Sequence, residues 1–247
     1  MGNIVKYKNH MLLGLYMMND IAPIMGVLVL LALIILLVCL LSKGRYQNFK
    51  KRLILKSLCS LMFWLFGWIA LWYAKSDVVP FTAFMMAGFT LSVFGDVFLA
   101  FKTGHAFLLG LLSFFLAHVA YSVSFIMRYG FSMNSLVAFA VISLVFLVVI
   151  NFSGLFDLKE MLVPANLYLI IISFMLANAI GGLLSISEGF LTTVLTAFGA
   201  LLFFISDFIL AYEKFSPRQG MALEKPVLVT YYSAQIFLAL GMMTFLL

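Results

Sequence analysis

Two aspartates, Asp96 and Asp207, lie inside long apolar runs, and the residues that follow them nearly repeat: Asp96-Val-Phe-Leu-Ala-Phe101 and Asp207-Phe-Ile-Leu-Ala-Tyr212. A carboxyl at membrane depth costs roughly 2.5–3.5 kcal/mol on insertion scales, so it reads first as a functional group. Two carboxyls in unlike surroundings are a recurring arrangement for an acid and a base in one site. One held in low dielectric keeps its proton near neutral pH, while an ionised one stabilises a developing cation and orients water. Such a pair must face one cavity. Separation beyond about 12 Å with packed side chains between would exclude a shared site, since even carboxyls with a water between them span only ~6.5–9.5 Å.

Other polar groups share the depth of the aspartates. Lys56, Asn166, Tyr168, Tyr231, Tyr232 and Gln235 all fall near the starts of apolar runs, on the side where the runs of Asp96 and Asp207 end. At ~1.5 Å rise per residue they lie roughly 5–14 Å below one interface. His118 is deeper, near the middle of its run, with Tyr121 on the same helical face at i, i+3. Ser92 and Ser206 sit close to the two aspartates. A polar cluster at one level of one leaflet suits the headgroup end of a lipid. Structural readings stand beside this one. An intramembrane Asp can be a group satisfied by Ser or Tyr, His118 can be a hydrogen-bonded core histidine, and Lys56 can snorkel to the surface.

The elements that position these groups follow from composition. The 247 residues are 65% hydrophobic and 10% charged, with mean hydropathy +1.18. Eight apolar stretches are predicted as membrane-spanning helices: 21–41, 53–74, 80–101, 105–127, 134–150, 161–184, 190–212 and 226–246. Each suits a hydrocarbon core about 30 Å thick. The fold class is thus all-α, a polytopic membrane bundle of eight transmembrane helices forming a single integral membrane domain, residues 1–247. Pro23, Pro80, Pro164 and Pro226 fall in predicted first turns, where a missing N–H costs little. The first run is too long for a signal-peptide core and reads as a true span. The stripe Trp64, Trp68, Trp72 reads as facing lipid or the interface. Cys39 and Cys59 both lie in apolar runs, so a disulfide framework is not expected. Ten of the fifteen Lys and Arg lie in the loops after helices 1, 3, 5 and 7. The positive-inside rule places those loops in the cytoplasm. No soluble basic surface is left to hold a nucleic acid.

The likeness of the aspartate helices extends to those that follow: Ser113-Phe-Phe-Leu-Ala-His118 pairs with Thr230-Tyr-Tyr-Ser-Ala-Gln235. Helices 3–4 then correspond to helices 7–8, which predicts a parallel 4+4 internal repeat about an axis along the membrane normal. Gly88, Ser92 and Asp96 recur at i, i+4, i+8, with Gly95 beside them. Small residues on one stripe let helices approach closely, so the Asp96 face should point into the bundle.

These motifs together resemble the lysoplasmalogenase family, the YhhN/TMEM86-like membrane proteins. The segments that carry the likeness are Phe89–Leu99, Phe107–Tyr121, Pro164 with Tyr168, Gly199–Ala211 and Thr230–Gln235. The family usually has Lys-Pro at the start of helix 2, where this chain has Lys56-Ser57. The resemblance implies an integral multi-pass membrane hydrolase, in a bacterial inner membrane or a eukaryotic endomembrane, with no metal and no cofactor. It implies cleavage of the vinyl ether bond of lysoplasmalogen to a fatty aldehyde and a glycerophospho-alcohol carrying choline or ethanolamine. Its partners would be that lysophospholipid and the surrounding membrane lipids. On this reading Asp96 and Asp207 are catalytic. Asp96 is taken as the acid because small residues line its face, and the reverse assignment stays open. Lys56 with Tyr231 or Tyr232 would hold phosphate, and His118 and Tyr121 would position water or the glycerol hydroxyl. Ser92, Asn166, Tyr168, Ser206 and Gln235 complete the expected binding set. A lone intramembrane His is too few ligands for a zinc hydrolase. Carboxyls between parallel repeats also occur in transporters, so a lipid or small-solute carrier or flippase is the rival. Transporter sites favour the midplane, and these carboxyls lie toward one leaflet.

Overall fold

In this computed structural model residues 26–27, 31–42, 48–73, 79–101, 103–185, 189–218 and 223–244 are described. They form helices α1 (Leu31–Leu41), α2 (Phe49–Tyr73), α3 (Val79–Ala100), α4 (Gly104–Tyr129), α5 (Met133–Phe152), α6 (Leu162–Leu184), α7 (Phe190–Phe215) and α8 (Glu224–Met243). A 3-10 turn, Lys159–Met161, leads into α6. The helices α2 to α8 are each long and apolar enough to cross a membrane. The protein is therefore an all-α integral membrane bundle. The predicted first span, 21–41, lies partly outside the described residues, as does Pro23.

Local chemistry explains most boundaries. Pro80, Pro164 and Pro226 occupy first turns, as expected. Thr103 caps α4 by accepting from the Ala106 N–H, and Ser132 caps α5 by accepting from Ser135. Gly130, at φ 74°, ends α4 in a conformation that costs glycine little. Two ends depart from the prediction. Helix α2 starts at Phe49 and includes Lys50, Lys51 and Arg52, while α7 runs past Tyr212 to Phe215. An apolar run stops where hydrocarbon stops, but a helix stops where its backbone groups find other partners. At α7 the Asp157 N–H donates to the Phe215 carbonyl at 2.7 Å, which satisfies the extra turn.

The helices pack as hairpins α3–α4, α5–α6 and α7–α8, with α2 against α3 and α8, and α6 against α4 and α7. Lipid tails offer helices no hydrophobic drive to associate, so close fit must hold them together. At Gly88 an added Cβ would lie 2.3 Å from the Tyr121 ring, and at Gly95 it would lie 2.6 Å from Phe114. The small stripe of α3 therefore faces the bundle, as expected, and seats two rings of α4. Gly199 on α7 gives Leu238 of α8 the same kind of seat, at 2.9 Å. Trp68 and Trp72 are exposed on the outer surface, whereas Trp64 is half-buried and donates its indole N–H to Thr90 at 3.0 Å. Cys39 and Cys59 are both free thiols.

Candidate functional site

Asp96 is enclosed by its own partners. It is 2% exposed on α3. From α2, Lys56 Nζ lies 3.1 Å from Oδ1, and Ser60, one turn further on, donates its hydroxyl to Oδ2 at 2.6 Å. From α8, Tyr231 donates to the same Oδ2 at 2.7 Å. The neighbouring Tyr232 donates to the Lys56 carbonyl at 3.1 Å. One ammonium and two hydroxyls donate to the two carboxyl oxygens, the hydrogen-bond pattern of an ionised carboxylate.

Asp207 has different company. The Tyr168 hydroxyl of α6 donates to its Oδ2 at 2.5 Å. His118 of α4 is fully buried, its Nε2 3.5 Å from the same oxygen and its two ring nitrogens without a hydrogen-bond partner among the described residues. The imidazole is held instead by ring edges, 5.3 Å from Tyr168 and 4.6 Å from Phe203. Oδ1 of Asp207 has no hydrogen bond among the described residues.

A third cluster joins α3, α4 and α8. Tyr121 donates to Gln235 Oε1 at 3.1 Å, with Ser92 Oγ 3.3 Å from the same phenol oxygen. The aspartate nests communicate through aromatic edges. Tyr231, bound to Asp96, has its ring 5.3 Å from Phe203 and 5.6 Å from Phe114, and Phe203 abuts His118 beside Asp207.

Two expected residues are placed elsewhere. Asn166 exchanges amide hydrogen bonds with Asn151 of α5, at 2.9 and 3.2 Å, and does not join Tyr168. Two positions apart on a helix means nearly opposite faces, which a depth argument ignores. Ser206 donates to the Val227 carbonyl at 3.0 Å and ties α7 to α8.

The cavities divide by polarity. An apolar chamber is walled by Phe114, Ile172, Phe204 and Phe208, with Asp207 and Tyr168 as polar groups in its lining. Beside it, a vestibule is lined by Arg52, Lys56, Glu213, Lys214 and Glu224. Of the two aspartates, Asp207 lines the chamber, while Asp96, enclosed by Lys56, Ser60 and Tyr231, lines neither of these two cavities. The ammonium that sequence reasoning reserved for phosphate is taken up by Asp96, because a buried carboxylate needs a counter-charge.

Sequence reasoning missed Ser60, although it sits one turn from Lys56. It also missed the pair of Arg52 with Glu224, 2.5 Å apart, with Arg52 also donating to the Ala100 carbonyl at 2.7 Å. Those partners are far apart in the chain and carry no local signal.

Comparison with known proteins agrees with this architecture in its reach along the chain. The YhhN family matches residues 51–242. The chain is 31% identical over 166 residues to a Bos taurus protein named lysoplasmalogenase TMEM86A, a match covering 66% of this chain and 66% of that relative. It thus spans just under two thirds of the length of the curated relative it matches. No solved structure gives a significant match.

Proposed function

Because the chain belongs to the YhhN family, we propose that it is an intramembrane hydrolase that cleaves the vinyl ether bond of lysoplasmalogen, with Asp207 as the reacting carboxyl. The observation that carries this reading is Asp207 itself. It lines an apolar chamber with one oxygen hydrogen-bonded to Tyr168 and the other uncommitted among the described residues. The name of the Bos taurus relative supports the substrate class.

The chemistry follows from that uncommitted oxygen. A proton on Oδ1 passes to the β-carbon of the alkenyl ether, and the C=C electron pair takes it up. An oxygen lone pair forms the oxocarbenium ion, which the new Asp207 carboxylate stabilises at close range. Water adds to the cation and returns a proton to Asp207. The resulting hemiacetal breaks its C–O bond, releasing the fatty aldehyde and the glycerophospho-alcohol. The Tyr168 hydrogen bond fixes the carboxyl, and His118 lies against the same oxygen. Asp96, already saturated with donors, holds Lys56 and Tyr231 in place, which reverses the role expected from its small-residue face.

The test uses purified full chain in lipid vesicles with lysoplasmalogen. Aldehyde should appear, and in heavy water it should carry one solvent deuterium on the carbon next to the carbonyl. Lipid flux across the vesicle without aldehyde would point to a carrier instead.

A further inference from the structure

Lys214 is a cation at the junction of three cavities. It lines the apolar chamber, the polar vestibule and a third recess between the start of α4 and the turn before α6. The other vestibule cations are committed: Arg52 to Glu224 and Lys56 to Asp96. Lys214 makes no ion pair among the described residues and is exposed. An uncommitted ammonium at the mouth of an apolar chamber suits a ligand with an anionic head and a hydrocarbon tail.

Spacing makes the match specific. Lys214 follows Asp207 by seven residues on α7, with Leu210 and Ala211 between them on the same chamber wall. Seven residues are nearly two full turns, so both side chains share a face about 10.5 Å apart along the axis. A lysine stem, longer than that of aspartate, shortens the gap when it leans toward the helix N-terminus. In a glycerophospholipid with an alkenyl ether at its first carbon, seven bonds separate phosphorus from the ether β-carbon, roughly 8–9 Å when extended. The extra turn of α7 that carries Lys214 is held by the Asp157 N–H on the Phe215 carbonyl.

We propose that Lys214 is the phosphate anchor of a single-chain phospholipid, setting the distance at which the ether bond meets Asp207 while the tail fills the apolar chamber. This rests on the reading of Asp207 given above. It also assigns headgroup recognition to the phosphate, with the choline or ethanolamine beyond it in the vestibule.

A binding test separates the anchor from the chemistry. The probes are a non-cleavable 1-O-alkyl-glycero-3-phosphocholine and the matching phosphate-free 1-O-alkylglycerol, titrated against purified full chain in detergent. Lys214→Met should weaken the phosphocholine ligand by at least about tenfold, as expected for loss of a charge-assisted contact. It should leave the alkylglycerol unchanged. Lys214→Arg should retain most of the affinity, and Lys51→Met, an exposed cation at the start of α2, should lose none. The anchor is wrong if Lys214→Met binds the phosphocholine ligand like the wild type, or weakens both ligands equally. It is equally wrong if Lys51→Met loses as much. Wild-type protein that shows Lys214-dependent binding yet makes no aldehyde from lysoplasmalogen would sink the hydrolase reading and leave the anchor standing.

Discussion

The two aspartates are the same residue in similar helices, and they have different partners. Asp207 keeps one oxygen open to the chamber, so Asp207→Asn should lower kcat by about 10²–10⁴-fold, the usual weight of general acid catalysis. The variant should still be purified as folded protein, and retention of more than about a tenth of wild-type turnover would sink the assignment. Asp96 should behave differently because its pair with Lys56 is buried. Removing one member of a buried ion pair leaves the other uncompensated and typically costs 3–5 kcal/mol. Asp96→Asn and Lys56→Met should each lower the melting temperature, and the double variant should recover much of the loss. Strict additivity in that double-mutant cycle would mean the two groups do not stabilise each other.

At the scale of the helices, the 4+4 internal repeat stands as a proposal, and packed pairs can be set side by side under it. The packed pairs α2–α3, α3–α4 and α2–α8 have counterparts in α6–α7, α7–α8 and α6–α4. Asp96 draws its partners from α2 and α8, and Asp207 draws its own from α6 and α4. The aspartate alignment pairs Gly88 with Gly199, and the alignment of the following helices pairs Tyr121 with Leu238. Those are the pairs in which a Cβ added to the glycine would lie 2.3 Å from the Tyr121 ring and 2.9 Å from Leu238. Gly88→Ala and Gly199→Ala should therefore both overpack a hairpin, at about 1–3 kcal/mol each. Thermal unfolding of the two variants checks this. Neither contact yields easily: the Gly88 Cβ would meet a ring held by Gln235, and the Gly199 Cβ would meet Leu238 Cγ at 2.9 Å and the α8 backbone, Ala234 O and Leu238 N, at 3.0 Å. A neutral Gly88→Ala would mean that the seat is loose.

For the whole molecule, the Lys and Arg distribution still predicts that the loops after helices 1, 3, 5 and 7 face the cytoplasm. Arg52 is committed to Glu224 and the Ala100 carbonyl, so Lys43 and Arg45, with Lys50 and Lys51 in the first turn of α2, carry the bias at that loop. In protein lacking Cys39 and Cys59, a cysteine placed in the 43–48 segment should react with an impermeant reagent from the cytoplasmic face. Labelling only from the outer face would invert the orientation and leave the helix count untouched.

The positions of spans α2 to α8, the inward face of α3 and the placement of Asp96, Asp207, Tyr168 and Tyr231 among other polar groups inside the bundle were legible in the sequence. The reason is that lipid imposes one-dimensional rules: apolar length, small-residue stripes and the cost of a carboxyl can all be read along the chain. Depth could also be read, because helix rise is constant. Azimuth could not be assembled into partners. Asn166 and Tyr168 share a depth and part ways because they stand on different faces, and Lys56 was matched to phosphate when a carboxylate from α3 lay closer. Only the tertiary structure decided which polar groups meet, because contacts between Lys56 and Asp96, or His118 and Asp207, join helices far apart in sequence. It also decided where α7 ends, since the partner that satisfies its last turn comes from Asp157. That turn places Lys214 on the face of Asp207 and gives the chamber a cation at its mouth.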